Sequence, residues 1–331
     1  MYNQFFGVQK SPFNMTPDPG LVFMQQQHRE ALAGLVCAVL ERKGFAVLIG
    51  DAGTGKTTLL ARLLQHLRTA RVQSSVILNP TVTTSEFLEM VLLDFGIADV
   101  PVSKAQRLAR LQRLVLQGHA ANRISLLVID EAHKMTPELL EEVRLLGNFD
   151  LGDQKLLQIV LIGQDELGRL LNEPHLRQLK QRIAVRLSLG PVAKGDVGQY
   201  IRYRWTKCGG NPAVPFTEDA IDAIAKWSNG TARLINAICD NALTLAFGQG
   251  VRTVTSAHIH EVAKDLDLFP TDNHSAPEPV RITESVASPV TAASVAPIRV
   301  FEQTQVQMLK RSPFARLVGK LGLTGWNRQY E

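Results

Sequence analysis

An apolar run of strand length, residues 45–49, leads into Gly50-Asp51-Ala52-Gly53-Thr54-Gly55-Lys56-Thr57-Thr58, and a helical pattern begins immediately behind it. This is the G-x-x-x-x-G-K-[ST] loop in the context it needs, a buried strand before and a helix after. The glycines let the backbone curl into a nest whose N–H groups converge on phosphate oxygens. The helix adds the positive end of its dipole. Lys56 is placed to reach the β- and γ-phosphates of ATP, and the Thr57 hydroxyl to ligate Mg²⁺. Residues 50–58 together form the candidate nucleotide cradle.

The rest of residues 28–190 fits the same architecture. Residues 28–43 show helical spacing, with Leu32, Leu35, Val36, Val39 and Leu40 as the apolar positions. Further helices are expected at 59–69, 86–95, 104–122 and 137–146, and strands at 75–78, 124–129, 156–162 and 184–189. Short apolar strands alternating with helices predict an α/β fold, a parallel sheet with helices on both faces. After Pro191 the strand signals stop. Residues 194–207, 217–228, 232–247 and 256–265 read as helices, with Thr217 and Ser256 as N-cap candidates. The expected organisation is an arm at 1–27, the α/β domain at 28–190, a small all-helical lid at 191–267, a Pro-rich linker without a core at 268–304, and a basic amphipathic tail at 305–331.

A second motif sits at the end of another apolar strand, Leu126-Leu127-Val128-Ile129-Asp130-Glu131-Ala132-His133. Carboxylates there stand where open α/β sheets bind ligands. Asp130 is expected to hold Mg²⁺ with Thr57, and Glu131 to act as general base on the attacking water. His133 either reports nucleotide state or is an ordinary polar residue of the following helix. The strand ending in Gly163-Gln164 offers an amide to the water or the γ-phosphate, provided that it lies between the two motif strands. Arg182, or Arg177, is the candidate arginine finger toward a neighbouring subunit. Arg233, opening a helix behind Ser228-Asn229-Gly230, is placed to fold onto bound nucleotide from the lid.

Composition sets outer limits. Of 331 residues, 45% are hydrophobic and 20% charged, a globular balance. Lys and Arg number 36 against 31 Asp and Glu, a net charge of +5, which permits a nucleic-acid or anionic-membrane partner without requiring one. Cys37, Cys208 and Cys239 stand far apart, which argues against a disulfide framework or a zinc site and for reduced thiols. The opening residues lack a signal-peptide pattern, and no apolar run approaches the roughly 18 residues of a membrane span. A cytoplasmic protein is expected, peripheral on a membrane at most. In the tail, Phe314, Leu317, Val318 and Leu321 interleave with Lys310, Arg311, Arg316 and Lys320, a pattern that suits lipid, DNA phosphates or a protein partner.

The phosphate loop, the Asp130-Glu131 pair and Gly230-x-x-Arg233-x-Ile235-Asn236 together resemble the AAA+ ATPases, P-loop proteins of the ASCE type. Phe5-Phe6-Gly7, Ser11-Pro12-Phe13-Asn14, Thr16-Pro17-Asp18-Pro19 and His28-Arg29-Glu30-Ala31-Leu32 are similar to the N-terminal signature of the ExeA/GspA family. So are Asn79-Pro80, Val160-Leu161-Ile162-Gly163-Gln164 and Leu179-x-Gln181-Arg182-Ile183. The resemblance covers about residues 1–267. It implies a cytoplasmic, ATP- and Mg²⁺-dependent enzyme that assembles as a homo-oligomer with nucleotide between subunits, serving cell-envelope secretion or exopolysaccharide export. Relatives of the TnsC/TniB kind imply a DNA-bound regulator of transposition instead. A third reading is an ATP-dependent oligomeric scaffold with little turnover; the presence of Lys56, Thr57, Asp130 and Glu131 weighs against it. The secretion form of the family continues into a transmembrane helix and a peptidoglycan-binding region, where this chain has the Pro-rich linker and basic tail. It also has Thr231-Ala232 where the family often places Pro before the lid arginine.

Overall fold

The computed structural model describes residues 2–268, Pro17 excepted, so the expected linker beyond Leu268 and the basic tail lie outside the described residues. The chain opens with α1 (Tyr2–Phe6), followed by α2 (Gln26–Leu40), β1 (Phe45–Gly50), α3 (Lys56–Leu67), β2 (Val72–Ile77), α4 (Thr84–Asp94), α5 (Lys104–Ala120) and β3 (Ile124–Ile129). Next come α6 (Pro137–Leu146), a small hairpin of β4 (Asp150–Leu151) and β5 (Gln154–Lys155), β6 (Leu157–Gly163), α7 (Asp165–Leu170), α8 (Arg177–Arg182) and β7 (Ile183–Leu189). Four helices follow: α9 (Val197–Lys207), α10 (Glu218–Ser228), α11 (Ala232–Gly248) and α12 (Ser256–Asp265).

β1, β2, β3, β6 and β7 form one parallel sheet in the order β2-β3-β6-β1-β7. Its central strands are apolar at nearly every position because both faces are covered, and alternate side chains enter two separate cores. Phe45, Val47, Ile49, Leu127, Ile129, Ile159 and Leu161 pack with α4 to α8 on one face. Ala46, Leu48, Leu126, Val128, Val160 and Ile162 pack with α2 and α3 on the other. Local signals agree with the helix starts. Thr83 and Glu86 form a reciprocal capping box on α4, and Thr136 caps α6 ahead of Pro137 at its first position. At the last helix the cap is Thr255 rather than the expected Ser256. His258 explains the shift, since its Nδ1 accepts from the Thr255 backbone N–H at 3.1 Å.

The helices after the sheet build a third core, and the N-terminal arm belongs to it. Tyr2, Val8 and Phe13 pack with Trp205, Ile224, Ile238 and Leu243. The buried Arg204 on α9 donates to the Pro12 carbonyl at 2.7 Å, and the Tyr2 hydroxyl donates to the Asp240 carboxylate. Among the described residues, no helix is long and apolar enough to cross a membrane.

Candidate functional site

Strand register brings the expected site together. β6 lies between β3 and β1, with Ile49 opposite Gly163 and Ile129 opposite Leu161. Gly50, Asp130 and Gln164 therefore leave the sheet side by side at its carboxyl edge, and the condition for a role of Gln164 is met.

The loop turns through Gly53 and Gly55, both with left-handed backbone (φ 82° and 98°). A side chain would be strained in either position. Lys56 begins α3 and is 7% exposed. Its Nζ donates to the carbonyls of Gly50 at 2.6 Å and Asp51 at 2.9 Å, so the ammonium is folded into the loop. Burial pulls its pKa below the ordinary lysine value, while Glu131, Asp130 and Asp51 oppose that shift. The Thr54 hydroxyl also donates to Asp51, at 2.9 Å. Ala52 is exposed at the tip, and Thr57 and Thr58 follow in the first turn of α3.

Asp130 is 5% exposed, and burial raises its pKa. The Thr57 hydroxyl is close enough to its carboxylate to counter part of that rise, and Oδ1 accepts from the Glu131 N–H at 2.9 Å. A buried carboxylate beside a hydroxyl is an oxygen pair of the kind Mg²⁺ takes, so these two residues fit that ion. Glu131 stands in the left-handed region (φ 55°). That conformation costs a non-glycine residue about 1–3 kcal/mol and clusters at active sites. Burial pushes the Glu131 carboxyl up, but Lys134 at 3.0 Å, His133 and Lys56 together hold it below the ordinary glutamate value.

His133, left open above, takes a position between two site residues. Its Nδ1 accepts from the Gln164 backbone N–H at 3.3 Å, and its Nε2 lies 3.6 Å from the Glu131 carboxylate. With Nδ1 accepting from Gln164, the Nε2–H faces Glu131.

Arg233 reaches the loop from the helical side. A methyl group on Gly53 would lie 2.8 Å from the Arg233 Cβ and 2.9 Å from the Thr231 Cγ2, so this turn rests directly on the nest. Gly230 is tied back to the start of the helical region: Val192 N donates to its carbonyl at 2.8 Å, and a Cβ there would meet the Val192 oxygen at 1.9 Å. Arg182 and Arg177 are not part of this constellation. They are the first and last residues of α8, and Arg182 donates to the Arg144 carbonyl at 2.9 Å just ahead of β7, at the opposite edge of the sheet.

Two neighbours that pattern reasoning passed over complete the site. His28 is 6% exposed, and its Nε2 lies 3.1 Å from the Thr54 carbonyl. Gln27 grips the crossing from sheet to helices, accepting from Gly190 N at 3.1 Å and donating to Gly190 O at 3.2 Å and Pro191 O at 3.3 Å. The signal available in the sequence was a pair of polar residues at the start of an otherwise apolar helix face.

The AAA domain family matches residues 39–171. General secretion pathway protein A of Aeromonas hydrophila is 39% identical over 270 residues, 80% of this chain and 48% of that protein. The chain thus spans about half the length of this relative. The ATP-dependent target DNA activator B of Escherichia phage D108 is 28% identical over 231 residues, 68% of this chain and 67% of that protein. Among solved structures, Cdc6p from Pyrobaculum aerophilum superposes with a TM-score of 0.62 at 18% identity, covering 78% of this chain and 71% of the other, a likeness of fold. The parallel sheet, the phosphate loop and the family match thus give the chain an AAA domain over residues 39–171, and over 80% of its length it is similar to general secretion pathway protein A.

Proposed function

We propose that the chain is a Mg²⁺-dependent ATP hydrolase that works as a homo-oligomer and couples nucleotide turnover to the assembly or energising of a cell-envelope secretion or export system. The observation that carries the enzymatic part is the convergence of Lys56, the Thr57–Asp130 pair and Glu131 at one sheet edge. The loop N–H groups and Lys56 bind the β- and γ-phosphates. Thr57 and Asp130 would hold Mg²⁺, which supplies charge neutralisation at those oxygens. Glu131, ionised at neutral pH, accepts the proton of a water as its oxygen bonds to the γ-phosphorus; the bond to the bridging oxygen breaks and ADP leaves. Gln164 orients that water. Residues 191–267 act as the lid, with Arg233 as its contact to the loop, and Arg182 of a neighbouring copy completes the site.

The process part rests on the likeness to general secretion pathway protein A. The likeness to a target DNA activator over 68% of the chain supports a second reading, a DNA-bound ATPase that regulates another machine. Steady-state ATP hydrolysis of the full chain, alone, with duplex DNA and with anionic liposomes, separates them. Glu131→Gln is expected to bind ATP normally and to lose at least ~100-fold in turnover. Lys56→Ala is expected to lose both. Stimulation by liposomes supports the envelope reading and stimulation by DNA the second. Turnover that survives Glu131→Gln removes Glu131 as the base.

A further inference from the structure

At the edge of the sheet opposite the nucleotide loop, positive charge gathers without counter-charge. No carboxylate occurs between residues 52 and 85 or between residues 100 and 129, and toward this edge these stretches carry Arg68, Arg71, Arg110, Arg113 and Arg123. The fold places them together, because they form α3–β2 and α5–β3 and β2 pairs with β3. Ile124 N donates to Arg71 O at 2.9 Å, so Arg71 and Arg123 stand just ahead of adjacent strands. Arg42 reaches across the same edge, its Nη2 donating to the Arg123 carbonyl at 3.3 Å. Arg68 caps the carboxyl end of α3 one turn before Arg71. On α5, Arg110, Arg113 and Gln117 form an exposed stripe running down to Arg123.

Arg68, Arg71, Arg110, Arg113 and Arg123 are all exposed and, among the described residues, none is ion-paired. The two other α5 cations are committed, Lys104 to Glu142 at 2.7 Å and Arg107 to Glu89 at 2.7 Å. Of the carboxylates beside this edge, Glu41 pairs with Lys43 at 3.2 Å and Asp150 with Lys155 at 2.8 Å, and Asp153 in the hairpin turn is the one exposed carboxylate there without a cation partner among the described residues. Five like charges held together by the fold repel one another, and a polyanion relieves that repulsion.

We propose that this edge binds the phosphate backbone of a duplex nucleic acid, without reading its bases. Every free cation in the row is arginine, whose planar fork suits phosphate oxygens. Neighbouring strands are about 4.8 Å apart. The α5 stripe adds about 15 Å, so the row is long enough to follow a backbone. A lipid surface is the poorer fit, because membrane-binding faces interleave cations with apolar side chains. Among the described residues, the arginine-bearing segments expose one large apolar side chain, Leu116, and the neighbouring hairpin adds Leu151.

The test is binding of the full chain to a labelled duplex DNA of mixed sequence, followed by fluorescence anisotropy across a salt series, with Arg71→Gln/Arg123→Gln beside wild type. The expected result is at least ~10-fold weaker binding and a salt slope reduced by about 2, the loss of two phosphate contacts. Binding of a fluorescent ATP analogue should be unchanged, which separates this surface from the hydrolase reading and shows that the variant folds. Three results would overturn the proposal: no DNA binding by wild type at low salt, an unchanged affinity and slope in the variant, or an equal loss of binding to anionic phospholipid vesicles.

Discussion

Gly53 has two separate reasons to be glycine. Its backbone is left-handed, and the space where a side chain would go is filled by Thr231 and Arg233. Gly53→Ala should therefore push the Arg233 turn off the loop. The expected outcome is about tenfold weaker ATP binding, roughly 1.4 kcal/mol, with increased hydrogen exchange at residues 230–236. An unchanged affinity would mean that the Arg233 turn does not support nucleotide. His28 acts from the other side of the loop. Burial holds its pKa below the ordinary histidine value, so at neutral pH it is uncharged and its Nε2–H donates to the Thr54 carbonyl. Because the unfolded chain takes up this proton more readily than the folded one, stability should fall as pH drops below about 6.5. His28→Gln should flatten that limb in urea titrations at stepped pH.

At the scale of elements, strands and long helices were legible because burial imposes a period. Residues 45–49, 124–129 and 156–162 are apolar runs broken only by Ser125 and Gln158, and each became a central strand within a residue or two. The β4–β5 hairpin, α1, α7 and α8 are too short to show a period, and nothing local marks them. The five-residue α1 is well below the length at which a helix holds by itself, so it forms through its contacts with the helical core. The candidate nucleotide cradle stood out because phosphate binding demands fixed spacing. Gln27 and His28 did not, since their partners Gly190, Pro191 and Thr54 are distant in sequence and only the fold makes them neighbours. The arm's anchorage is testable in the same way. Tyr2→Phe leaves the Asp240 carboxylate without its hydroxyl donor, and should lower stability in thermal unfolding by about 1–3 kcal/mol. Limited proteolysis should then release residues 1–16 earlier.

For the whole molecule, the position of Arg182 is the decisive feature. It lies at the amino edge of the sheet, a strand's length from the phosphate loop of its own chain, so it has no role in its own site. The proposed finger role then requires two copies. Arg182→Ala and Lys56→Ala should each be nearly inactive alone, and mixing them should restore part of the activity, because one supplies an intact loop and the other an intact arginine. Mixtures no more active than their parts would assign the finger elsewhere.

The tie between Val192 and Gly230 also says how this molecule would turn a small event into a large one. Gly190 and Pro191 are both gripped by Gln27 and Val192 is stitched to Gly230, which leaves the link between Pro191 and Val192 as the pivot. Arg233 sits close to that pivot, like the short arm of a lever. The far end of α11, 17 residues long, is about 25 Å away along its axis. A swing of about 10° therefore carries that end through about 4 Å, and the N-terminal arm bolted to it travels too. A partner holding either the arm or the outer helices would receive an amplified stroke from a displacement no larger than a phosphate.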